Sequence, residues 1–256
     1  MTRVLAVVNQ KGGVGKTTTS VNLAAALAQV SRRVLLVDLD PQGNATMGSG
    51  VDKRTVARTV YHVLLGLSEL SAIRTRAERG GYDLVPANRE LAGAEIELVA
   101  LPARETRLRA ALERVEAEYD FILIDCPPSL SLLTVNALTA AQHVLIPMQC
   151  EYYALEGLSD LVTTIKRVRA NLNTRLEIAG LLRTMYDPRN TLSQQVSEQL
   201  EEHFGDKVYR TLVPRNVRLA EAPSHGVPGV LWDVSSKGAQ AYIGLAQEIL
   251  AQGSSA

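Results

Sequence analysis

Short apolar runs recur along the chain and are separated by segments with helical spacing. The runs lie near residues 4–8, 33–38, 82–85, 120–125, 143–147, 176–182 and 208–212. Most of them are continuously apolar rather than alternating, which is typical of strands buried on both faces. Helical patterns stand between most of the runs. This order predicts an α/β fold with a mostly parallel twisted sheet that is flanked by helices on both faces.

Two of the helical segments are distinct enough to be bounded from the sequence. Residues 16–30 are rich in alanine and leucine, which favours a helix packed closely on the sheet. Residues 102–118 begin with a proline and carry apolar side chains at positions 108, 111, 112 and 115. We therefore expect one helix over 102–118, with its charged side chains on a solvated face.

The segment after the first apolar run is a phosphate-binding loop. It reads Asn-Gln-Lys-Gly-Gly-Val-Gly-Lys-Thr-Thr-Thr over residues 9–19 and leads into the first predicted helix. The common pattern has a glycine where this chain has Gln10, so the loop is of the deviant Walker A type. Its glycines are Gly12, Gly13 and Gly15. A backbone of this kind can turn its N–H groups toward one point, which predicts a P-loop NTPase that binds a polyphosphate.

The side chains of the loop have separate predicted roles. Lys16 is expected to reach the β and γ phosphates, Thr17 to bind Mg²⁺, and Thr18 to contact an inner phosphate. The loop from Lys11 to Thr18, Val14 included, is the predicted nucleotide-binding segment. ATP and Mg²⁺ are the predicted cofactors.

Carboxylates follow two further apolar runs. Strand alternation places Asp38 and Asp40 on one side of their strand, and Asp125 ends another. Ligands of open α/β sheets collect at the carboxyl ends of the strands. We expect Asp125 to act on Mg²⁺ directly or through water, and Asp40 to orient the attacking water and lie at the metal.

These motifs together resemble the ParA/Soj chromosome-partitioning ATPases, which are relatives of MinD. The resemblance rests on Lys-Gly-Gly-Val-Gly-Lys-Thr-Thr, Asp-Leu-Asp-Pro-Gln-Gly-Asn and Ile-Asp-Cys-Pro-Pro-Ser, and it continues through residues 149–157 and 213–226. It implies that Lys11 crosses to the ATP of a partner subunit in an ATP-dependent homodimer. Lys11, Lys16 and Asp40 are then the catalytic candidates. The resemblance also implies an adenine site formed by Met185, Pro214 and Asn216.

The distribution of charge adds a DNA-binding prediction. The whole chain has 27 basic and 27 acidic residues, but residues 166–218 contain ten Lys/Arg and six Asp/Glu. The resemblance implies that Arg189 and Arg218 bind double-stranded DNA without sequence preference, and Arg215 and Lys237 extend this predicted patch. It also implies a ParB-type centromere-binding protein that stimulates hydrolysis and so releases the ATPase from DNA.

The sequence disfavours three other functions. A MinD-like membrane switch would need a basic amphipathic helix near the C-terminus, but no Lys or Arg follows Lys237. An electron carrier of the nitrogenase-reductase kind would need cysteines free to hold a cluster, and Cys126 stands between Asp125 and Pro127. A tyrosine-kinase relative would have a tyrosine-rich tail. A related cargo-positioning ATPase stays open as the alternative, because it shares the motifs and differs in its partner.

Composition predicts one cytoplasmic domain over residues 1–256, with a flexible tail at 252–256. The family resemblance implies that this domain is nucleoid-associated. No apolar run is long enough to span a membrane, and we expect neither a secretory signal nor a helix-turn-helix segment ahead of the first strand. Cys126 and Cys150 are expected to be buried thiols. The four histidines lack metal-ligand spacing, so Mg²⁺ with the nucleotide is the only metal expected.

Overall fold

The sheet is built from eight strands in the order β3-β4-β2-β5-β1-β6-β7-β8. The computed structural model describes residues 2–152 and 154–252. All neighbouring strands are parallel except β3, which pairs with β4 in the antiparallel direction. The strands are β1 Arg3–Val7, β2 Val34–Asp38, β3 Thr75–Ala77, β4 Tyr82–Val85, β5 Phe121–Asp125, β6 His143–Gln149, β7 Glu177–Tyr186 and β8 Val208–Pro214.

The helices lie between the strands, as the sequence predicts. They are α1 Lys16–Gln29, α2 Asn44–Gly48, α3 Val60–Leu64, α4 Leu70–Ile73, α5 Leu91–Glu97, α6 Arg107–Leu112, α7 Leu132–Ala140, α8 Ala154–Asn171, α9 Thr191–Phe204, α10 Val217–Glu221, α11 Gly229–Trp232 and α12 Lys237–Gln252. Short 3₁₀ turns cover Leu98–Ala100, Glu116–Glu118, Gly205–Lys207 and Ala222–His225.

Both faces of the sheet are covered, which confirms the predicted fold class. Side chains of β1 alternate between two buried clusters: Val4 and Ala6 join one, and Leu5 and Val7 join the other. Helices α5 to α9 contribute to the first cluster, and α1 and α12 contribute to the second. Because each central strand is buried on both sides, its sequence is continuously apolar.

The prediction of a single helix over residues 102–118 is wrong. Helix α6 covers only Arg107–Leu112, and Ala103 adopts a left-handed backbone with a φ of 53°. Asn136 of α7 holds this break: its Oδ1 accepts a hydrogen bond from the Leu108 N–H (3.1 Å), and its Nδ2 donates to the Arg104 carbonyl (2.7 Å). Hydrogen bonds with Asn136, which is distant in sequence, therefore take the place of the backbone hydrogen bonds that a helix beginning at Pro102 would make.

Strand boundaries also differ from the prediction. Strands β6, β7 and β8 run two to four residues further at their carboxyl ends, and the short edge strand β3 was not predicted. The predicted flexible tail begins at Gln252, which is the last residue of α12, and its residues 253–256 lie outside the described part. No helix within residues 2–152 and 154–252 combines the length and the apolar character that a membrane span requires.

Candidate functional site

The phosphate-binding loop lies at the carboxyl edge of the sheet, between the end of β1 and the start of α1. Strand β1 pairs with β5 on one side and β6 on the other, so the loop stands where the strand order changes direction. Gly13 and Gly15 adopt left-handed backbones with φ values of 77° and 87°, which a side chain would disfavour. These two glycines turn the loop so that α1 begins at Lys16.

Two side chains, neither of them predicted to do so, hold the loop in place: Asn9 at its start and Thr184 from β7. The Asn9 amide donates to the Pro147 carbonyl of β6 (2.8 Å), and its Oδ1 accepts from the Lys11 N–H (3.0 Å). The Thr184 hydroxyl of β7 donates to the Val14 carbonyl (2.8 Å). The sequence prediction gave neither side chain this role, because nothing in the loop motif shows which strand ends lie against it.

The two lysines of the loop point in different directions. Lys16 is buried, and its Nζ donates to the Lys11 carbonyl within the loop (3.0 Å). Burial lowers the pKa of Lys16, while the Asp125 carboxylate opposes that shift. The Lys11 side chain is 45% exposed and forms an ion pair with Glu151, which follows β6. Lys11 therefore presents its charge on the rim of the site.

Asp125 ends β5 directly beside the loop and is fully buried. Its Oδ2 accepts a hydrogen bond from the Thr17 hydroxyl (2.8 Å), and its Oδ1 accepts one from the Ser20 hydroxyl (2.8 Å). Burial raises the pKa of Asp125 to about 8, and the Asp38 carboxylate adds to the shift. Asp38 and Asp125 are paired in register across β2 and β5.

Asp38 holds the backbone that follows β2. Its Oδ2 accepts from the N–H and the hydroxyl of Thr46 in α2 (2.7 Å each), and the same hydroxyl accepts from the Ala87 N–H (2.9 Å). Burial raises the pKa of Asp38 to about 6, although the hydrogen bonds from Thr46 lower it. Asp38 thus fixes α2 relative to the sheet.

Asp40 lies close to these groups and is held by its own turn. Its Oδ1 accepts from the Gln42 N–H (2.9 Å), and its backbone N–H donates to Asp38 Oδ1 (3.2 Å). The Asp40 charge contributes to raising the pKa of Asp125 and opposes the lowering of the pKa of Lys16. The three predicted carboxylates and Lys16 therefore form one electrostatic cluster.

The chemistry of this cluster fits magnesium with a nucleotide. The buried carboxylates of Asp38 and Asp125 have raised pKa values, so a divalent cation nearby would stabilise their charged forms. Mg²⁺ in nucleotide sites takes few protein ligands together with phosphates and water. The described residues contain no group of three or more His, Cys, Asp or Glu suited to a metal ion. The Gln10 Nε2 of the loop is buried without a hydrogen-bond partner.

The residues predicted to contact adenine share one cleft beside the loop. The cleft has a volume of about 180 Å³, and its walls include Gly15, Thr18, Met185, Pro214 and Asn216. Met185 adopts a left-handed backbone with a φ of 49°, at the point where the pairing of β7 and β8 shifts register. The structure therefore brings all three predicted adenine residues next to the predicted phosphate site.

The predicted DNA-binding cations are all exposed and belong to the segments after β7 and β8. Arg189 pairs with Asp187 (2.9 Å), and Arg218 pairs with Glu221 (3.0 Å). Hydrogen bonds from Arg189 lower the pKa of Asp187 to about 2, and the charge of Arg215 adds to the effect. Arg215 and Arg189 are therefore electrostatic neighbours.

Lys237 and Arg218 are linked through α10 and α12. Lys237 begins α12, and its neighbour Gly238 lies so close to α10 that an added Cβ would be 2.6 Å from Leu219 Cδ1. Arg218 also reaches Asp233, with 3.5 Å between Nε and Oδ2.

One basic residue counted in the charge distribution does not reach the surface. Arg183 of β7 is only 5% exposed, donates to Ser197 Oγ (2.7 Å) and the Tyr209 carbonyl (2.8 Å), and forms an ion pair with Glu201. Arg183, which is one of the ten basic residues counted over 166–218, therefore does not contribute to a basic surface. Cys126 and Cys150 are buried free thiols, as expected.

Comparisons with known proteins agree with this site. Residues 2–178 match a family described as an AAA domain. The chain is 56% identical over 253 residues to the sporulation initiation inhibitor protein Soj of Bacillus subtilis, covering 99% of this chain and all of that protein. It is 53% identical over 252 residues to the chromosome partitioning protein ParA of Caulobacter vibrioides, covering 98% and 94%.

A solved structure is similar over the same length. It is a Mycobacterium smegmatis protein named cobyrinic acid a,c-diamide synthase, crystallised with an ATP analog and magnesium. Its TM-score to this chain is 0.86 at 42% identity, and the match covers 98% of this chain and 95% of that one. Its name describes a different activity, but the identity to the Soj and ParA proteins is higher.

Proposed function

This chain belongs to the ParA/Soj family of chromosome-partitioning ATPases, and from that premise we propose that its ATP-bound dimer binds DNA without sequence preference. The chain hydrolyses ATP with Mg²⁺ as cofactor. In the proposed cycle, a ParB-type centromere-binding protein stimulates hydrolysis, and the dimer then separates and leaves the nucleoid.

The observation that carries the proposal is the different placement of the two loop lysines, one buried and one half-exposed. Lys16 is buried within its own loop, whereas the Lys11 ammonium lies on the rim and pairs with Glu151. A half-exposed cation at the rim can exchange a surface carboxylate for the triphosphate of a second subunit, which carries more charge. Lys11 is thus suited to join two nucleotide sites face to face.

Within one site, the proposed chemistry uses residues whose positions are fixed by packing. The loop N–H groups and Lys16 hold the β and γ phosphates and stabilise the charge that develops on the transferred group. Thr17, Asp125 and Asp40 are the residues that would hold the metal. Bound Mg²⁺ neutralises phosphate charge. Asp40 would accept a hydrogen bond from the attacking water and so orient it toward the γ phosphate.

The proposed DNA contacts depend on dimerisation. Arg189 and Arg218 are already paired with carboxylates of the same chain, so each phosphate contact gains little, and a monomer should bind with a Kd of about 10⁻⁴ M or weaker at physiological salt. Two patches held in one dimer would bind as a linked pair, with avidity raised on the order of 10²-fold. ATP occupancy would thereby control residence on DNA, with Arg215 and Lys237 at the edges of each patch.

The test is binding of the Asp40→Ala protein to random-sequence duplex DNA, with Mg-ATP and with Mg-ADP, across a salt titration. We expect binding about 100-fold tighter with ATP and a steep fall in affinity with salt. Equal binding with both nucleotides would contradict the proposed switch.

Charge reversal locates the proposed surface. Arg189→Glu combined with Arg218→Glu should remove DNA binding but keep ATP-dependent dimers. Arg32→Glu combined with Arg175→Glu is the matched control, because these exposed arginines precede β2 and β7 at the opposite edge of the sheet. Equal loss of affinity in both pairs would place DNA binding elsewhere.

A further inference from the structure

Ser20 is a buried residue of α1 to which the phosphate-loop motif gives no role. It lies one turn beyond Thr17, is fully buried, and contacts Asp125 at the end of β5. We propose that Ser20 is a positioning residue for the metal site: it fixes the Asp125 carboxylate, which in turn orients the Thr17 hydroxyl toward Mg²⁺. This inference rests on the assignment of Thr17 and Asp125 to the metal site in the proposed function.

The geometry is a carboxylate held between two hydroxyls of one helix. Thr17 Oγ1 lies 2.8 Å from Asp125 Oδ2, and Ser20 Oγ lies 2.8 Å from Asp125 Oδ1. Residues three apart occupy the same face of a helix, so both hydroxyls can reach one side chain. Each hydroxyl has a single proton, and the carboxylate that a bound cation would keep ionised only accepts. Both oxygens of Asp125 are thereby held.

The orientation of Thr17 follows from this arrangement. Because the Thr17 proton is directed to Asp125, the oxygen lone pairs are directed away from the carboxylate and are available to a cation. The terminal torsion of an aspartate is broad and has no strong preference of its own. Without Ser20, one buried oxygen of Asp125 would lose its donor, and the carboxylate could rotate away from Thr17.

A second contact sets the rotamer of Ser20. Its Oγ also lies 3.0 Å from the Lys16 carbonyl, four residues earlier in the same helix. One proton shared between this carbonyl and Asp125 favours the carboxylate, because an ionised acceptor forms the stronger hydrogen bond. The carbonyl therefore keeps the hydroxyl in the rotamer that reaches Asp125.

The test measures how much Mg²⁺ tightens nucleotide binding, by equilibrium titration of the protein with fluorescent ADP in EDTA and in excess Mg²⁺. In Ser20→Ala, we expect the gain in affinity from Mg²⁺ to shrink about 10-fold, with the affinity in EDTA unchanged within about twofold. Ser20→Cys is nearly isosteric but has a weak donor, so it should lose most of the same gain.

Thr19→Val is the matched control. Thr19 is an equally buried neighbour on α1, but its hydroxyl contacts Tyr242 (3.1 Å) instead of Asp125, so the gain from Mg²⁺ should stay intact. A Ser20→Ala protein with the wild-type gain would overturn the proposal, as would equal losses in EDTA and in Mg²⁺, since Ser20 would then support the loop itself. If the wild type and Asp125→Asn respond equally to Mg²⁺, the metal assignment fails instead.

Discussion

The buried carboxylate pair at the ends of β2 and β5 makes stability depend on pH in a direction that can be measured. The perturbation is Asp125→Asn, which keeps the shape of the side chain and removes its charge. In the wild type without metal, burial raises the pKa of Asp125 to about 8 and that of Asp38 to about 6. The variant removes the carboxyl group with the larger pKa shift, and it also removes the like charge beside Asp38.

The sign and size of the effect follow from linkage. Both folded pKa values lie above the ordinary value of about 3.9, so the folded protein holds protons that the unfolded chain releases. The stability that these two carboxyl groups contribute is therefore fully present below about pH 4 and is lost as pH rises to about 8. At about 1.4 kcal/mol per pKa unit, the Asp125 shift corresponds to an upper bound on the order of 5 kcal/mol. We expect Asp125→Asn to reduce the wild-type loss between pH 5 and pH 8 by at least half.

The assay is urea unfolding in EDTA at several pH values between 5 and 8.5. Asp160→Asn is the control, because Asp160 is an exposed carboxylate of α8, and its pH profile should follow the wild type. Adding Mg-ADP should flatten the wild-type profile, since a cation stabilises the charged carboxylates. Parallel profiles for the wild type and Asp125→Asn in EDTA would refute the reasoning.

Three further changes test other features. Glu201→Ala leaves the buried guanidinium of Arg183 without its ion-pair partner. It should lower the free energy of unfolding by about 2–4 kcal/mol in urea titrations. The double variant Arg183→Met with Glu201→Ala should recover most of this loss, because no unpaired charge is then buried. Gly226→Ala would place a Cβ 2.8 Å from the Gly50 Cα, on a backbone with a φ of 60°. The midpoint of thermal unfolding should therefore fall by several degrees. An unchanged midpoint would show that the loops containing Gly50 and Gly226 separate easily. Glu151→Gln removes the ion-pair partner of Lys11, so it should change the free energy of unfolding by less than about 1 kcal/mol. It should also strengthen ATP-dependent dimerisation a few-fold in analytical ultracentrifugation. Weaker dimers would contradict the proposed role of Lys11.

Much of the site was predictable because its chemistry is local in sequence. The glycines of the phosphate loop, Lys16 and Thr17 adjoin one another, and their order between a strand and a helix is enough to predict a phosphate site. Asp38 and Asp125 were predictable as neighbours, because parallel strands end at one edge of a sheet. The central strands were predictable because burial on both faces makes each one continuously apolar.

Other features depended on contacts between distant segments. The short edge strand β3 exists because it pairs with β4, and the predicted helix at 102–118 is interrupted because Asn136 binds its backbone. The charge count over residues 166–218 includes Arg183, but β7 directs this side chain inward against α9. A sum of charges along the chain has no information about which side of a strand faces solvent.

The amino-acid sequence alone thus determined the type of fold, the nucleotide chemistry and the family resemblance, since each is expressed in short runs of residues. Only the tertiary structure decided that Ser20 contacts Asp125, that Thr184 supports Val14, and that Lys11 lies against Glu151. The physical reason is that hydrogen bonds and ion pairs depend on distances of about 3 Å, and packing of the whole chain sets those distances.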